Sequence, residues 1–320
     1  MKNITVFAVL VIILFGIQAT AAQENYAVSL SYQAGFLYGQ AEETVYPFNT
    51  KAELLSQLLW DIKPVFYNGL LLDFSQTKPM EKWGGFAGLS FKYGIPGGSG
   101  TMEDRDWMSK ENDALTHFSS HDNNIKELFL LDVLAGFSFP LHRIVLLRPF
   151  LTASYMRFYF SGTDGYGIYA RSLADDTFAP IDDNPNRRSF SGKVINYTQD
   201  WLYIAPGFTL RFYMQKRFSA GLSFQISPLV FYTGLDEHLT TQVQYKDYVR
   251  FGLFLKPEAG ISFSFIEWLS LSLECSWRYI KETRGQSYQR VYGFSSYAKN
   301  GEAGAGLSMI DTVLCLKIRL

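Results

Sequence analysis

Two short pairs of titratable residues stand out in the sequence. Asp104 and Asp106 occur in "GTMEDRDWM", braced by Met102 and Trp107, and Asp236 and His238 occur in "GLDEH". A spacing of two places both members of each pair on one face of a β-strand. The chemistry such a set supports is activation of water. His238 can act as general base when Asp236 orients and electrostatically supports its imidazole. A facing aspartate pair holding one shared proton can grip the other side of the same water and stabilise the intermediate. No serine or cysteine nucleophile with a nearby histidine stands out.

Elements must carry these residues to one place. The chain opens with Lys2, an apolar run from Ile4 to Ile17 and small residues at Ala19, Thr20 and Ala21. That pattern predicts a secretory signal peptide over residues 1–22, with 23–320 as one barrel domain. No later stretch reaches the 18 or so apolar residues of a spanning helix. The aromatic content is 17%, with 27 Phe and 20 Tyr, and a net charge of -1 leaves no basic patch, so nucleic acid is excluded as a partner. Two cysteines build no disulfide framework. Cys275 falls in phase with Leu271, Leu273 and Trp277, and Cys315 in phase with Lys317, so one points outward and the other inward.

Alternation with period two is the dominant pattern. Residues 269–279 carry Leu, Leu, Leu, Cys, Trp and Tyr on one face and Ser270, Ser272, Glu274, Ser276 and Arg278 on the other. In 243–265 Val249, Phe251, Leu253, Leu255, Ala259, Ile261, Phe263 and Phe265 share the odd phase, and the even phase holds Gln244, Lys246, Arg250, Lys256 and Glu258. Export, aromatic load and regular hairpins together predict an all-β, ten-stranded antiparallel transmembrane barrel with apolar residues outward. The strands fall at about 26–46, 52–74, 82–104, 123–139, 146–169, 191–214, 217–237, 242–265, 267–284 and 303–320. Tight turns follow the second, fourth, sixth and eighth strands, and long polar connections follow the third, fifth and ninth. Strands longer than the 9–11 residues a bilayer needs imply a barrel standing above the outer membrane. Glu43 and both pairs then meet on the long-loop rim. One feature opposes this. Phe218, Ala220, Leu222, Phe224 and Ile226 put the even phase of the seventh strand outward, so a bulge near Pro228 or Gly234 must turn Asp236 and His238 inward.

At these residues the chain resembles the omptin family of outer-membrane endoproteases. "MEDRDWM" looks like the segment holding that family's aspartate pair, "DEH" like its Asp–His dyad, "SQLLW" at 56–60 like its second-strand motif, and "GQAEETVY" like the segment with a specificity glutamate. The resemblance implies an aspartyl endopeptidase of the cell surface with Asp104, Asp106, Asp236 and His238 catalytic. It implies that Glu43, rather than Glu42, binds a basic substrate residue. It implies no cofactor beyond lipopolysaccharide or a similar lipid as activator, and peptide or protein substrates as partners at the outer face. Two departures are visible. Gly234 stands where the family carries a second pocket carboxylate, which predicts a one-carboxylate pocket favouring Arg over Lys. On the outer wall Arg157 matches the lipid-contacting cluster, while Tyr155 and Ala153 do not.

The competing readings are a non-enzymatic barrel, adhesin or small channel, and a barrel lipid hydrolase, which would need a Ser–His arrangement facing the bilayer. "HFSSHD" (His117, His121, Asp122) has a spacing zinc can use, but a polar loop is the simpler expectation, and no metal is assigned.

Overall fold

The computed structural model describes residues 26–320 apart from 47–52, 112, 174–176, 180, 182–185 and 216. The expected signal peptide therefore lies outside the described residues. Fourteen strands are present: β1 (Tyr26–Tyr46), β2 (Ser56–Gln76), β3 (Gly84–Gly94), β4 (Gly97–Asp106), β5 (His117–His142), β6 (Val145–Tyr169), β7 (Asn186–Ser189), β8 (Lys193–Tyr213), β9 (Phe218–Ser227), β10 (Val230–His238), β11 (Val243–Arg250), β12 (Phe254–Ile266), β13 (Leu269–Val291) and β14 (Ala298–Arg319). β3 with β4, β9 with β10 and β11 with β12 are interrupted halves of single staves, and β7 is a short addition to the β6 edge. Ten antiparallel staves remain. β1 pairs with both β2 and β14, which closes the ring and leaves no stave with an unpaired edge in lipid.

Period-two alternation sorts the wall. Leu70, Leu151, Leu222, Leu273, Trp277 and Leu314 are exposed outward, while Ser276, Arg278, Asp311 and Cys315 are buried within. Cys275 is exposed and Cys315 buried, both as free thiols. β5 starts at His117 rather than near residue 123, so "HFSSHD" is strand and not loop.

The lumen is divided across its middle by packed rings. Trp60 lies 5.4 Å from both Phe160 and Tyr197, Trp201 4.5 Å from Tyr232, and Tyr203 stacks on Phe254 at 4.0 Å. Beneath this layer a cavity of about 1380 Å³ reaches the short-turn end, lined by Asp73, Lys92, Lys256, Glu258, Asp311 and Lys317 among others. Three ion pairs cross it: Lys92 with Asp311 at 2.6 Å, Lys256 with Glu258 at 2.8 Å, Lys317 with Asp73 at 3.1 Å.

At the height of the aromatic layer, three adjacent staves invert their phase together. Between the pairs Gly207↔Gln225 and Tyr203↔Val230, β8 advances four residues while β9–β10 advance five. On the far side, between Ile280↔Leu307 and Thr283↔Ala305, β13 advances three residues and β14 two. Inside the patch the register is unbroken, because Ser227↔Phe254 and Phe231↔Arg250 are four apart on both strands. One extra residue per stave, absorbed at Pro228–Leu229, at Phe251–Leu253 and at Lys281–Glu282, thus turns the upper halves over as a block. Proline at the first break has no N–H to lose. Phe251 takes a φ of +66° and swings its ring outward at the second. The bulge expected near Pro228 or Gly234 is at Pro228. The apolar phase expected to run unbroken through 243–265 is not continuous: above the break Asp247 and Val249 are buried, and Arg250 is exposed.

Candidate active site

Each functional side chain owes its direction to a local device. On β1 the odd phase is buried (Leu37, Ala41, Glu43), so Glu43 faces the lumen. Glu42 faces the other way and accepts a bond from Gln57 Nε2 at 2.6 Å. The glycine-rich bend before Asp104 is a bulge. Gly100 has a φ of +77°, and a Cβ there would lie 2.6 Å from Asp61 Oδ2. That carboxylate instead accepts bonds from Thr101 N and Oγ1 at 3.0 and 3.1 Å. Only glycine meets both conditions. Beyond the bend, Met102 is buried, and Asp104 and Asp106 follow it on the same face. Ser56 Oγ donates to Asp104 Oδ1 at 3.0 Å, and Thr116 Oγ1 donates to the Asp106 carbonyl at 2.9 Å.

Opposite them, the inverted block turns Asp236 and His238 inward. His238 Nε2 lies 2.6 Å from Asp236 Oδ2 and donates to it, which leaves Nδ1 as the nitrogen free to take a proton. Tyr245 packs edge-on against the imidazole at 5.4 Å. Asp236 is 2% exposed, whereas the His238 side chain keeps 29% of its surface open at the rim.

Crowded carboxylates in a poorly solvated cleft resist ionisation. Burial raises Asp104 to about 6, against the pull of His238 and Ser56. Burial, then Asp104, holds Asp106 well above the usual range. Burial, then Asp236 and Asp247, does the same to Glu43. Burial opposes the His238 imidazolium, but Asp236 by charge and hydrogen bond, followed by Asp104 and Asp106, outweighs it and raises the ring to about 9. The two pairs are thus close enough to sense each other across the cleft, and the resting cleft has fewer charges than carboxyl groups.

Asp247 is the residue that reading the sequence missed. It shares the odd phase of 243–265 with the apolar residues that point outward below the break, and the inversion at Phe251–Leu253 turns it inward. The "HFSSHD" strand pairs with the aspartate strand, Asp106 opposite His117 and Asp104 opposite Ser119, and its histidines bond their own neighbours. His121 Nδ1 donates to the Asp164 carbonyl at 2.5 Å and its Nε2 meets Ser119 Oγ at 3.0 Å, while His117 Nδ1 meets Thr116 Oγ1 at 2.9 Å. Among the described residues no three His, Cys, Asp or Glu side chains are grouped to hold a metal. Outside, Arg157 forks onto Asp200 at 2.7 and 2.9 Å, and Tyr155 bonds the same carboxylate at 2.5 Å.

The model of the Omptin family matches residues 24–320. Among solved structures, the outer membrane protease OmpT from Escherichia coli superposes with a TM-score of 0.79 at 20% identity, over 92% of this chain and 97% of that one. The transport unit of the autotransporter AIDA-I from Escherichia coli aligns with a TM-score of 0.40 at 10% identity, over 91% and 90% of the two chains. The toluene transporter TodX of P. putida gives 0.34 at 10% identity, over 95% and 92%. No curated protein sequence matches the chain significantly.

Proposed function

As a member of the omptin family this chain is an outer-membrane protease, and we propose that it is an endopeptidase whose nucleophile is a water held between Asp236–His238 and Asp104–Asp106. The observation that carries this reading is the meeting of the two pairs from opposite staves in one cleft open at the long-loop rim. The water oxygen attacks the scissile carbonyl carbon and gives one proton to His238 Nδ1. The shared proton of Asp104 and Asp106 bonds the developing oxyanion. When the C–N bond breaks, His238 returns its proton to the leaving amine. Asp236 keeps the imidazole oriented and stabilises its charged form.

The imidazole must be neutral to accept the proton, yet its neighbours raise it to about 9. A positive charge entering the acidic cleft relieves that bias, which favours substrates carrying a basic residue at the cleaved bond, with Glu43 as its contact. The long polar connections at the rim support an active site facing the exterior. A lipopolysaccharide or similar lipid would act from outside the wall through Arg157, competing with Asp200 for its guanidinium. A channel is the weaker reading, because the Trp60 and Trp201 layer closes the lumen.

The test is digestion of a peptide library by the refolded barrel and by His238→Ala. Cleavage next to basic residues that disappears in the variant supports the reading. An intact cleavage pattern in His238→Ala sinks it.

A further inference from the structure

The cleft holds an acid for which the water-activating machinery has no use. Asp247 and Glu43 reach the same part of the lumen from β11 and β1, each 2% exposed. Both Asp247 oxygens and Glu43 Oε2 are buried without a well-formed hydrogen bond among the described residues, and the groups within hydrogen-bonding reach of the Asp247 carboxyl are Glu43 itself and Ser287. Leaving such oxygens bare is expensive in a folded chain. The paired cations of the lower lumen show that this barrel supplies partners elsewhere. Here the two acids have no cation beside them in the free protein, and two carboxyl groups with no third ligand suit an ammonium or guanidinium better than a metal ion.

The position of Asp247 explains the glycine at 234. Gly234 and Asp247 are direct partners across β10 and β11, so their side-chain directions share the lumenal face, about 5 Å apart. A Cβ on Gly234 would collide with the Tyr232 hydroxyl, which instead bonds the Tyr197 hydroxyl. Tyr232, on the same strand, fills the space at Gly234, and the carboxylate stands on the neighbouring stave. The phase inversion at Phe251–Leu253 is what turns it inward.

We propose that Asp247 is the second carboxylate of the substrate pocket and, with Glu43, clasps the basic side chain beside the cleaved bond. The pocket therefore has two acids, and lysine is accepted as well as arginine, contrary to the one-acid pocket expected from Gly234 alone. This rests on the endopeptidase reading, so the test separates the two. In the intact refolded barrel, kcat/KM is measured on peptides differing only in Arg, Lys or Met at that residue, for wild type, Asp247→Asn, Asp247→Glu and Glu43→Gln. Expected is a loss of about tenfold or more on the Arg and Lys peptides in Asp247→Asn, mostly in KM, with the Met peptide unchanged. Asp247→Glu, which keeps the charge, retains the basic preference. A second measurement avoids turnover: in a His238→Ala background, calorimetric binding of the uncleaved Arg peptide weakens at least tenfold when Asp247→Asn is added. Equal losses on all three peptides, an unchanged Arg and Lys preference, or unchanged binding in the His238→Ala background overturns the assignment. Should wild type cleave no peptide, the catalytic reading fails, while the binding measurement still decides for or against Asp247.

Discussion

Below and above the aromatic layer, the same polar-inward staves carry buried charge under opposite conditions. Below it, Lys92 meets Asp311, Lys256 meets Glu258 and Lys317 meets Asp73, and Tyr67 adds a bond to Asp311 at 2.5 Å. Above it, Asp104, Asp106 and Asp236 act on His238, Glu43 and Asp247 lie beside them, and among the described residues oxygens of Glu43, Asp236 and Asp247 lack well-formed hydrogen bonds. The lower set is explained by folding alone: ions inside a barrel are neutralised locally because an unpaired one is costly. The upper set costs the free protein stability, and the proposed substrate contacts would give that cost a purpose. Strained electrostatics of this kind mark sites of function.

The largest expected effect is on chemistry above the layer. His238→Ala should lower kcat/KM on a good peptide by roughly 10²–10⁴, the worth of a positioned general base. Strand-type circular dichroism and the heat-dependent gel shift of a closed barrel should be unchanged. Loss of the barrel along with activity would show that the rim, too, serves folding, and the contrast would collapse.

The next effect lies below. Lys92→Met leaves Asp311 buried without its cation and should cost about 3–5 kcal/mol in denaturant unfolding, with kcat/KM of the folded fraction retained. Asp106→Asn, by contrast, removes one like charge from the crowded rim and should leave stability equal or higher while activity falls. Equal destabilisation by the two variants would erase the distinction between the halves.

A pH profile sharpens the comparison further. With the His238 pKa raised to about 9, its neutral form grows as pH rises through that value, so kcat/KM should still be climbing there. A second rise near 6 should follow Asp104 as the pair gains its one negative charge. Asp236→Asn removes the largest charge holding the imidazolium, so the upper limb should move to lower pH while the maximum falls. A profile flat from 6 to 9 would mean that neither group titrates in the rate-limiting species.

The smallest effect belongs to the outer wall. Arg157→Ala should reduce any stimulation of the refolded barrel by lipopolysaccharide a few-fold, and leave activity without lipid unaltered, because Arg157 sits on the outer wall, bonded to Asp200 rather than to any cleft residue. Equal stimulation in both proteins would place lipid contact elsewhere.

Much of this molecule could be read from its residues. Alternation located all ten staves within several residues at most ends, because the in–out period of a strand is a local property. It also assigned Cys275 to the outside and Cys315 to the inside. The two-residue spacings brought Asp104 to Asp106 and Asp236 to His238, again through local geometry. What the residues left open was phase across an interruption. Glu42 and Glu43 are one residue apart, and only their place in the closed sheet directs one inward. Asp247 was invisible for the same reason. A one-residue slip reverses every side chain beyond it, and whether a stave slips depends on its neighbours. Here β9–β10, β11–β12 and β13 shift as a block against β8 and β14, a decision made by long-range pairing. The staves were therefore written in the sequence, while the membership of the acidic cleft was decided only when the ring closed.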